Sequence, residues 1–440
     1  MPKRPPRLIA ALLTMVALAM TPITTAWAAK PPKPSIPTVS TPKHIIVFIG
    51  DGMAPAQIEL GRRMNGGSLF IDSLPWQAKG SLDTTSLEGT TDSAAGATAL
   101  ASGVETNNSW LGTVPTADGF APVETALERA EDLGKATGLV SDSYITDATP
   151  AGFAAHVTSR SETETIAQQM AGQGIEFLMG GGLRQGDVGP LLGNPGVTYV
   201  SSAAGLDAYV ASGGAGPVYG FFDSWNMVYN LDREEEGVVG KDPTLPQMTT
   251  AALSTLSRDP EGSFLMVEGG LIDWGGHARD GASLGREMIE FDQAIQAAWN
   301  WARNRTDTLI VFTADHETGA LALRSNTNVT ALKQQTATTE FMWGRISKGE
   351  SIASTIRAYA GFTPTSTEIA SVQRCGEHGV SDVLADRWKL SWGSWRCSDE
   401  GEHTDTFVPA WAWGPGASRF AGTGYDNERV GQNLLALLGP

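Results

Sequence analysis

Cysteine is nearly absent from this chain: 440 residues contain two, Cys375 and Cys397, both late in the sequence. That scarcity excludes a disulfide-dense small module and a cysteine-rich metal cluster. Long apolar runs are scarce as well. The clearest, Leu8 to Met20, falls short of the roughly 20 residues that a spanning helix needs, so no membrane span is expected. Basic charge is low, with 31 Lys and Arg against 48 Asp and Glu. A basic nucleic-acid-binding face is therefore disfavoured, and an anionic substrate has to be held by a local cation because the general field repels it. Histidine is rare too, with six in the whole chain.

What is present is ordinary globular material, 41% apolar and 18% charged, long enough to bury a large core. Lys3, Arg4 and Arg7 precede the apolar run, and Ala26-Trp27-Ala28 has the small-x-small pattern of a cleavage site. Residues 1–28 are expected to be a signal peptide, and the protein to be periplasmic or secreted. Without those three cations, 28 basic residues remain against 48 acidic ones, a net charge of about −20. A proline-rich leader, 29–43, follows, and the catalytic domain is expected over 44–440. In an oxidising compartment, Cys375 and Cys397 read as a disulfide closing a local loop, stabilising by roughly 3 kcal/mol. A two-cysteine zinc site is the alternative.

Strand and helix patterns alternate. HIIVFIG from His44 is a continuous apolar run ending at Asp51, the mark of a buried parallel strand. Ala121 to Leu133 has helical spacing and Lys135 to Ser141 reads as the next strand. Leu245 to Arg258 is predicted helical with Pro246 in its first turn, before a strand from Ser263 to Val267. Met288, Phe291, Ile295 and Trp299 recur at helical steps before a strand at Thr308 to Thr313, and Val408 to Trp413 reads as one more. This order predicts an α/β fold: a doubly wound, mostly parallel central sheet with helices on both faces, in a single large domain with insertions.

Acidic residues follow the strands. Asp51, Asp147, Glu268 and Asp315 sit at or just beyond predicted carboxyl ends, where open α/β sheets place their ligand crevice. One such carboxylate is commonplace as a helix cap or turn residue. Four need a cation to offset their repulsion. Three of the six histidines lie in acidic contexts: Asp273-Trp-Gly-Gly-His277, Asp315-His316, and Gly-Glu-His403-Thr-Asp. Carboxylate plus imidazole suits zinc. The others are read as structural: His44 opens a strand, His156 lies in a helical run, and His378 sits within the cysteine loop.

The stretch TTDSAAGATA, Thr90 to Ala99, sets the Ser93 hydroxyl beside the Asp92 carboxylate and then uses only small residues. A serine hydroxyl is a weak nucleophile at neutral pH unless a base or metal activates it. If Ser93 opens a helix, its oxygen meets free N–H groups and the positive end of the helix dipole.

Six blocks, IGDGM (Ile49 to Met53), TTDSAAGATALASG (Thr90 to Gly103), DATPAGFAAHVTSR (Asp147 to Arg160), MVEGGLIDWGGH (Met266 to His277), TADHETG (Thr313 to Gly319) and HTDTFVPAWAWGPGA (His403 to Ala417), together resemble the alkaline phosphatase family, in family order and over nearly all of the chain after the leader. The resemblance implies an exported phosphomonoesterase that works through a phosphoserine on Ser93. It implies two zinc ions and one magnesium. Asp273, His277 and His403 match the ligands of one zinc, and Asp51, Asp315 and His316, completed by Ser93, those of the second. Asp51, Thr149 and Glu268 match the magnesium ligands, with Asp147 holding that ion's waters. Arg160 matches the guanidinium that grips phosphate, with Asp92 and Trp274 expected beside the substrate. Residues 183–241 and 321–397 resemble the variable insertions that shape substrate access and dimer contacts, which leaves a homodimer open.

One position departs from some relatives: Trp274 stands where a lysine or histidine reaches phosphate. Indole brings one donor and no charge. The runner-up reading is a phosphodiesterase or sulfatase relative with the same two-metal core. Arg160 and the magnesium set favour monoesters, since a diester has one nonbridging oxygen fewer to offer a forked cation. An inactive binding protein would have lost its nucleophile or a ligand, and none is missing.

Overall fold

The strand His44–Gly50 is buried at every position and lies between two parallel neighbours, Ser263–Gly269 and Thr308–Thr313. Burying Ile45 to Ile49 on both faces contributes about 1.5–3 kcal/mol per large side chain, which explains the uninterrupted apolar run. The computed structural model describes residues 41–182, 188–393, 397 and 402–440. The expected signal peptide and nearly all of the expected leader lie outside them, as do parts of the two expected insertions, 183–187 and 394–396.

Among the described residues the central sheet has ten strands. Their order across the sheet runs Tyr425–Asp426, Ala78–Asp83, Val408–Trp413, Thr308–Thr313, His44–Gly50, Ser263–Gly269, Ala136–Tyr144, Phe177–Gly181, Val218–Phe221 and Thr198–Val200. The seven from Thr308–Thr313 onward are parallel, and Val408–Trp413 runs against them. Register aligns the functional strand ends. Ile49 pairs with both Glu268 and Thr313, and Glu268 with Ser141, so Asp51, Glu268, Asp315 and Asp147 leave the sheet along one edge.

Helices start where side chains can cap them. Thr244 and Gln247 form a capping box ahead of the helix Leu245–Leu256, and Asp280 accepts from the N–H groups of Ala282 and Ser283 at the start of Gly281–Ala302. Each such cap contributes about 1 kcal/mol. Met288, Phe291 and Ile295 of the long helix are fully buried.

Two local expectations differ from the structure. The region read as a helix from Ala121 begins as a hairpin strand, Gly119–Pro122, paired with Thr113–Thr116, and the helix spans only Ala126–Asp132. Its start is set by Thr125, whose capping box with Glu128 outweighs the upstream apolar spacing. His156 is not helical either. The helix Ala148–Gly152 ends before it, and the imidazole bridges Gly112 O at 2.6 Å and Glu128 Oε1 at 2.7 Å. No helix among the described residues is long and apolar enough to cross a membrane.

The two stretches with the weakest sequence signal carry regular structure. The first supplies the edge strand Thr198–Val200 and its neighbour Val218–Phe221. The second supplies the helices Val329–Gln334, Thr339–Ser347, Ile352–Ala360, Ser366–Cys375 and Glu377–Trp388. A disulfide joins Cys375 to Cys397.

Candidate active site

Ser93 is the first residue of the helix Ser93–Ser102, and all ten of its residues are buried. Asp92 caps it, its Oδ1 accepting from Ala95 N at 3.0 Å. The small residues are a packing requirement. A Cβ on Gly96 would come within 3.1 Å of Asp315 Cβ, and one on Gly152 of the neighbouring helix within 2.7 Å of Ala97 Cβ. The helix start is thereby held against Asp315, just beyond the end of the strand Thr308–Thr313.

Ser93 Oγ lies 3.1 Å from His316 Nε2. The same nitrogen is 3.2 Å from Asp315 Oδ2 and 3.4 Å from Asp51 Oδ1. Asp315 is aimed by backbone: its Oδ1 accepts from Gly52 N and from His316 N. Asp51 Oδ2 accepts from Thr149 Oγ1 at 3.2 Å. Glu268 accepts from Ser141 Oγ. Asp147 accepts from Ser143 Oγ at 2.7 Å and from Ala148 N.

A second cluster adjoins the first. His277 Nε2 is 3.3 Å from Asp273 Oδ2, and His403 Nε2 is 3.8 Å from Asp273 Oδ1. Asp273 and His277 are one helical turn apart on Leu271–His277, so they share a face. His403 arrives on a short strand, His403–Thr404, paired with Glu317–Thr318. Glu317 fixes that pairing by accepting from Gln57 Nε2 and Thr404 Oγ1, both at 2.6 Å. Thr318 Oγ1 donates to Asp273, and the rings of His316 and His403 stack at 3.6 Å.

Three carboxylate oxygens, Asp51 Oδ1, Glu268 Oε1 and Asp315 Oδ2, are buried and accept no hydrogen bond among the described residues. Burial, and then the neighbouring carboxylates, push Asp51, Glu268 and Asp315 well above the ordinary carboxylate range. Asp273 behaves oppositely. Burial alone would raise it, but the imidazoles of His277, His403 and His316 outweigh burial and hold it low. Unsatisfied acid oxygens beside imidazoles are the donor set of a divalent cation, which would remove the repulsion that raises these carboxylates. Asp273, His277 and His403 bring ligand atoms within 4.8 Å of one another, as do Asp51, Asp273 and His316. The second grouping contains Asp273 where the sequence pointed to Asp315, which instead contacts His316 directly.

The Arg160 guanidinium donates to Asp147 Oδ1 at 2.8 Å and Asp92 Oδ2 at 3.4 Å. Burial disfavours its charge, but those two carboxylates more than offset burial and keep the group charged. Asp92 is itself held by Ser109 N at 3.0 Å. Arg160 is thus held from behind by acids while it lines a cleft of about 570 Å³ that also contains Ser93, Asp51, Asp147, Asp273, His277 and His403.

Trp274 lines the same cleft, its ring edge-on to Trp225 with centroids 6.0 Å apart. Residues that sequence reading passed over also reach the cleft: Tyr229, Glu340, Glu377 and His378. Of these, His378 had been read as purely structural. Its neighbour Glu377 opens the helix Glu377–Trp388, so the cysteine loop carries cleft residues. The sequence held one signal for them, two acids and a histidine in a chain with few histidines, but no motif tied them to the strand ends. His44, by contrast, lies at the far end of its strand against Ser263 and Arg305, where burial and Arg305 lower its pKa to about 4.

Comparison with known proteins agrees with this geometry. The family profile described as Alkaline phosphatase matches residues 42–194 and 193–439. Alkaline phosphatase 4 of Bacillus subtilis (strain 168) is 32% identical over 410 residues, covering 86% of this chain and 85% of the relative. The crystal structure of Thermus thermophilus alkaline phosphatase superposes with a TM-score of 0.79 at 25% identity, over 95% of this chain and 96% of that one. A variant TAB5 alkaline phosphatase with magnesium bound superposes with a TM-score of 0.66 at 26% identity, over 91% of this chain and 98% of that one.

Proposed function

The chain belongs to the alkaline phosphatase family, and from that membership we propose the reaction and its parts: hydrolysis of phosphate monoesters to alcohol and phosphate, through a phosphoserine on Ser93, by an exported enzyme. The observation that carries the reading is the position of Ser93 Oγ, at a helix start, 3.1 Å from His316 and in the same cleft as Arg160.

Asp273, His277 and His403 would hold one zinc. Asp51, Asp315 and His316, with Ser93, would hold the second. Asp51, Thr149 and Glu268 would hold magnesium, with Asp147 supporting its waters. The magnesium reported for the TAB5 variant supports that assignment by analogy. Bound divalent ions supply the positive charge that favours a serine alkoxide and offsets charge on the departing oxygen.

The chain's own groups do the rest. Arg160, permanently charged and forked, binds two nonbridging oxygens of a monoester at once. Asp92 and Asp147 restrict its rotation, so less side-chain entropy is lost on binding. Ser93 attacks phosphorus in line while the helix N-terminus favours the phosphoryl group. Trp274 and Tyr229 supply apolar surface to the same cleft. After the alcohol departs, water attacks the phosphoserine and releases phosphate, which Arg160 holds until it leaves. A disulfide between Cys375 and Cys397 supports export to an oxidising compartment.

Parallel turnover of 4-nitrophenyl phosphate and bis(4-nitrophenyl) phosphate tests the reading, before and after chelation. Monoesterase activity well above diesterase activity, lost on chelation and restored by added zinc and magnesium, is expected. Preference for the diester contradicts the proposal.

A further inference from the structure

The cleft around Ser93 has two halves of opposite character. One half carries Arg160, the only arginine or lysine among the described residues lining it, and suits an anion. The other is walled by Trp274, Tyr229, Glu340 and Glu377. An ester whose phosphoryl group sits against Arg160 and Ser93 has to direct its alcohol into that second half.

The two glutamates there are not neutralised. Glu340 stands exposed at the cleft wall, its carboxyl raised by partial desolvation, and no basic group among the described residues acts on it. Glu377 is pushed up to about 7 by burial, by Glu340 and by the buried Asp280, with no arginine or lysine among the described residues acting on it. Arg345, in the adjoining chamber, is already engaged: it pairs with Glu350 and lies over the rings of Phe341 and Tyr359. Neither glutamate belongs to the metal-capable groupings among the described residues. Two like charges on one cleft wall repel each other, and a cation entering beside them relieves that repulsion. The aromatic walls add a second attraction, because the face of an indole or phenol ring is electronegative. A second chamber of about 740 Å³ shares Trp274, Tyr229 and Glu340; it is lined by Asp232, Glu235 and Glu236 together with Arg345 and Lys348, and leaves room for a larger alcohol.

Taking the phosphomonoesterase reading above as its basis, we propose that this half of the cleft is a leaving-group subsite selective for phosphate monoesters whose alcohol carries a positive charge, an ammonium or quaternary ammonium group recognised by Glu340, Glu377, Trp274 and Tyr229. Esters of anionic alcohols are repelled by the same groups.

The test compares three esters on the metal-loaded enzyme: phosphocholine, its uncharged carbon isostere 3,3-dimethylbutyl phosphate, and phosphoglycolate. The ammonium also makes choline the better leaving group, so the decisive quantity is how the ratios of kcat/KM change between proteins. Because each ratio is internal to one preparation, partial misfolding cancels. Glu340→Gln is expected to lower the phosphocholine to dimethylbutyl ratio about fivefold or more, with most of the change in KM. Glu340→Lys is expected to raise phosphoglycolate relative to phosphocholine further still, and Glu377→Gln to act in the same direction as Glu340→Gln. Ratios that stay the same in all three variants overturn the subsite while leaving the phosphomonoesterase intact. Failure to hydrolyse any monoester, 4-nitrophenyl phosphate included, overturns both.

Discussion

Nε2 of His403 lies 3.2 Å from Nε2 of His277, and both rings face the carboxylate of Asp273. Two imidazole nitrogens at that separation repel unless a proton or a metal ion sits between their lone pairs. The arrangement therefore predicts tight metal binding linked to stability. Chelation is expected to lower Tm by a few degrees, since losing a ligand present at 100 to 1,000 times its Kd removes about 3–4 kcal/mol. His403→Ala is expected to lose one metal equivalent by elemental analysis. Unchanged Tm and metal content on chelation would count against it.

Arg160 reaches two acids while facing the cleft. Arg160→Ala is expected to lower kcat/KM for 4-nitrophenyl phosphate by about 10- to 100-fold, mainly through KM, and to weaken phosphate inhibition in parallel. Arg160→Lys should rescue little, because a point charge cannot reproduce the fork or both acid contacts. Full rescue by lysine would show that charge alone suffices.

Trp274 brings an uncharged ring to the cleft wall, braced by Trp225. Trp274→Lys is expected to lower the inhibition constant for inorganic phosphate by about tenfold, the worth of one added charge near an anion in a partly buried site. An unchanged constant would show that this position does not sense phosphate.

Glu131 supplies a pH prediction remote from the site. Burial, reinforced by Glu176 and Glu128 against hydrogen bonds from Thr137 and Gly174, raises its pKa from the ordinary 4.5 to about 7. The folded state holds this proton more tightly than the unfolded state. The linked stabilisation is therefore complete below about 4.5 and is lost as pH rises through about 7. Glu131→Gln, which keeps the acceptor for Thr137, is expected to match the parent in Tm at pH 4 and exceed it by about 1–2 °C at pH 9. Equal Tm values at pH 9 would contradict this.

Much of the site could be read from the sequence because the chemistry sits where local signals are strongest. Asp51, Glu268 and Asp315 follow unbroken apolar runs, so their positions at strand ends were visible without the fold, and parallel register then aligned them. Ser93 was legible because Asp92 is a strong cap and nothing after it is bulky. The misread hairpin at Gly119–Pro122 shows the limit of periodicity, which did not separate a short strand from the helix after it. Glu340 and Glu377 were invisible for a different reason. They reach the cleft from helices at the far end of a long segment, by tertiary packing that leaves no local pattern. Thr318, which joins Asp273 to His316, was hidden likewise, since a threonine beside a metal-binding motif carries no spacing rule of its own.

The central claim is covalent: phosphorus passes through the Ser93 oxygen. Rapid acid quench during turnover of a phosphate monoester, followed by peptide mass spectrometry, measures it directly. The account predicts one phosphoryl group, on Ser93, in the metal-loaded enzyme, and none after chelation or in Ser93→Ala. A phosphoryl group on another residue, or a Ser93→Ala protein that turns over substrate at the parent rate, would contradict it.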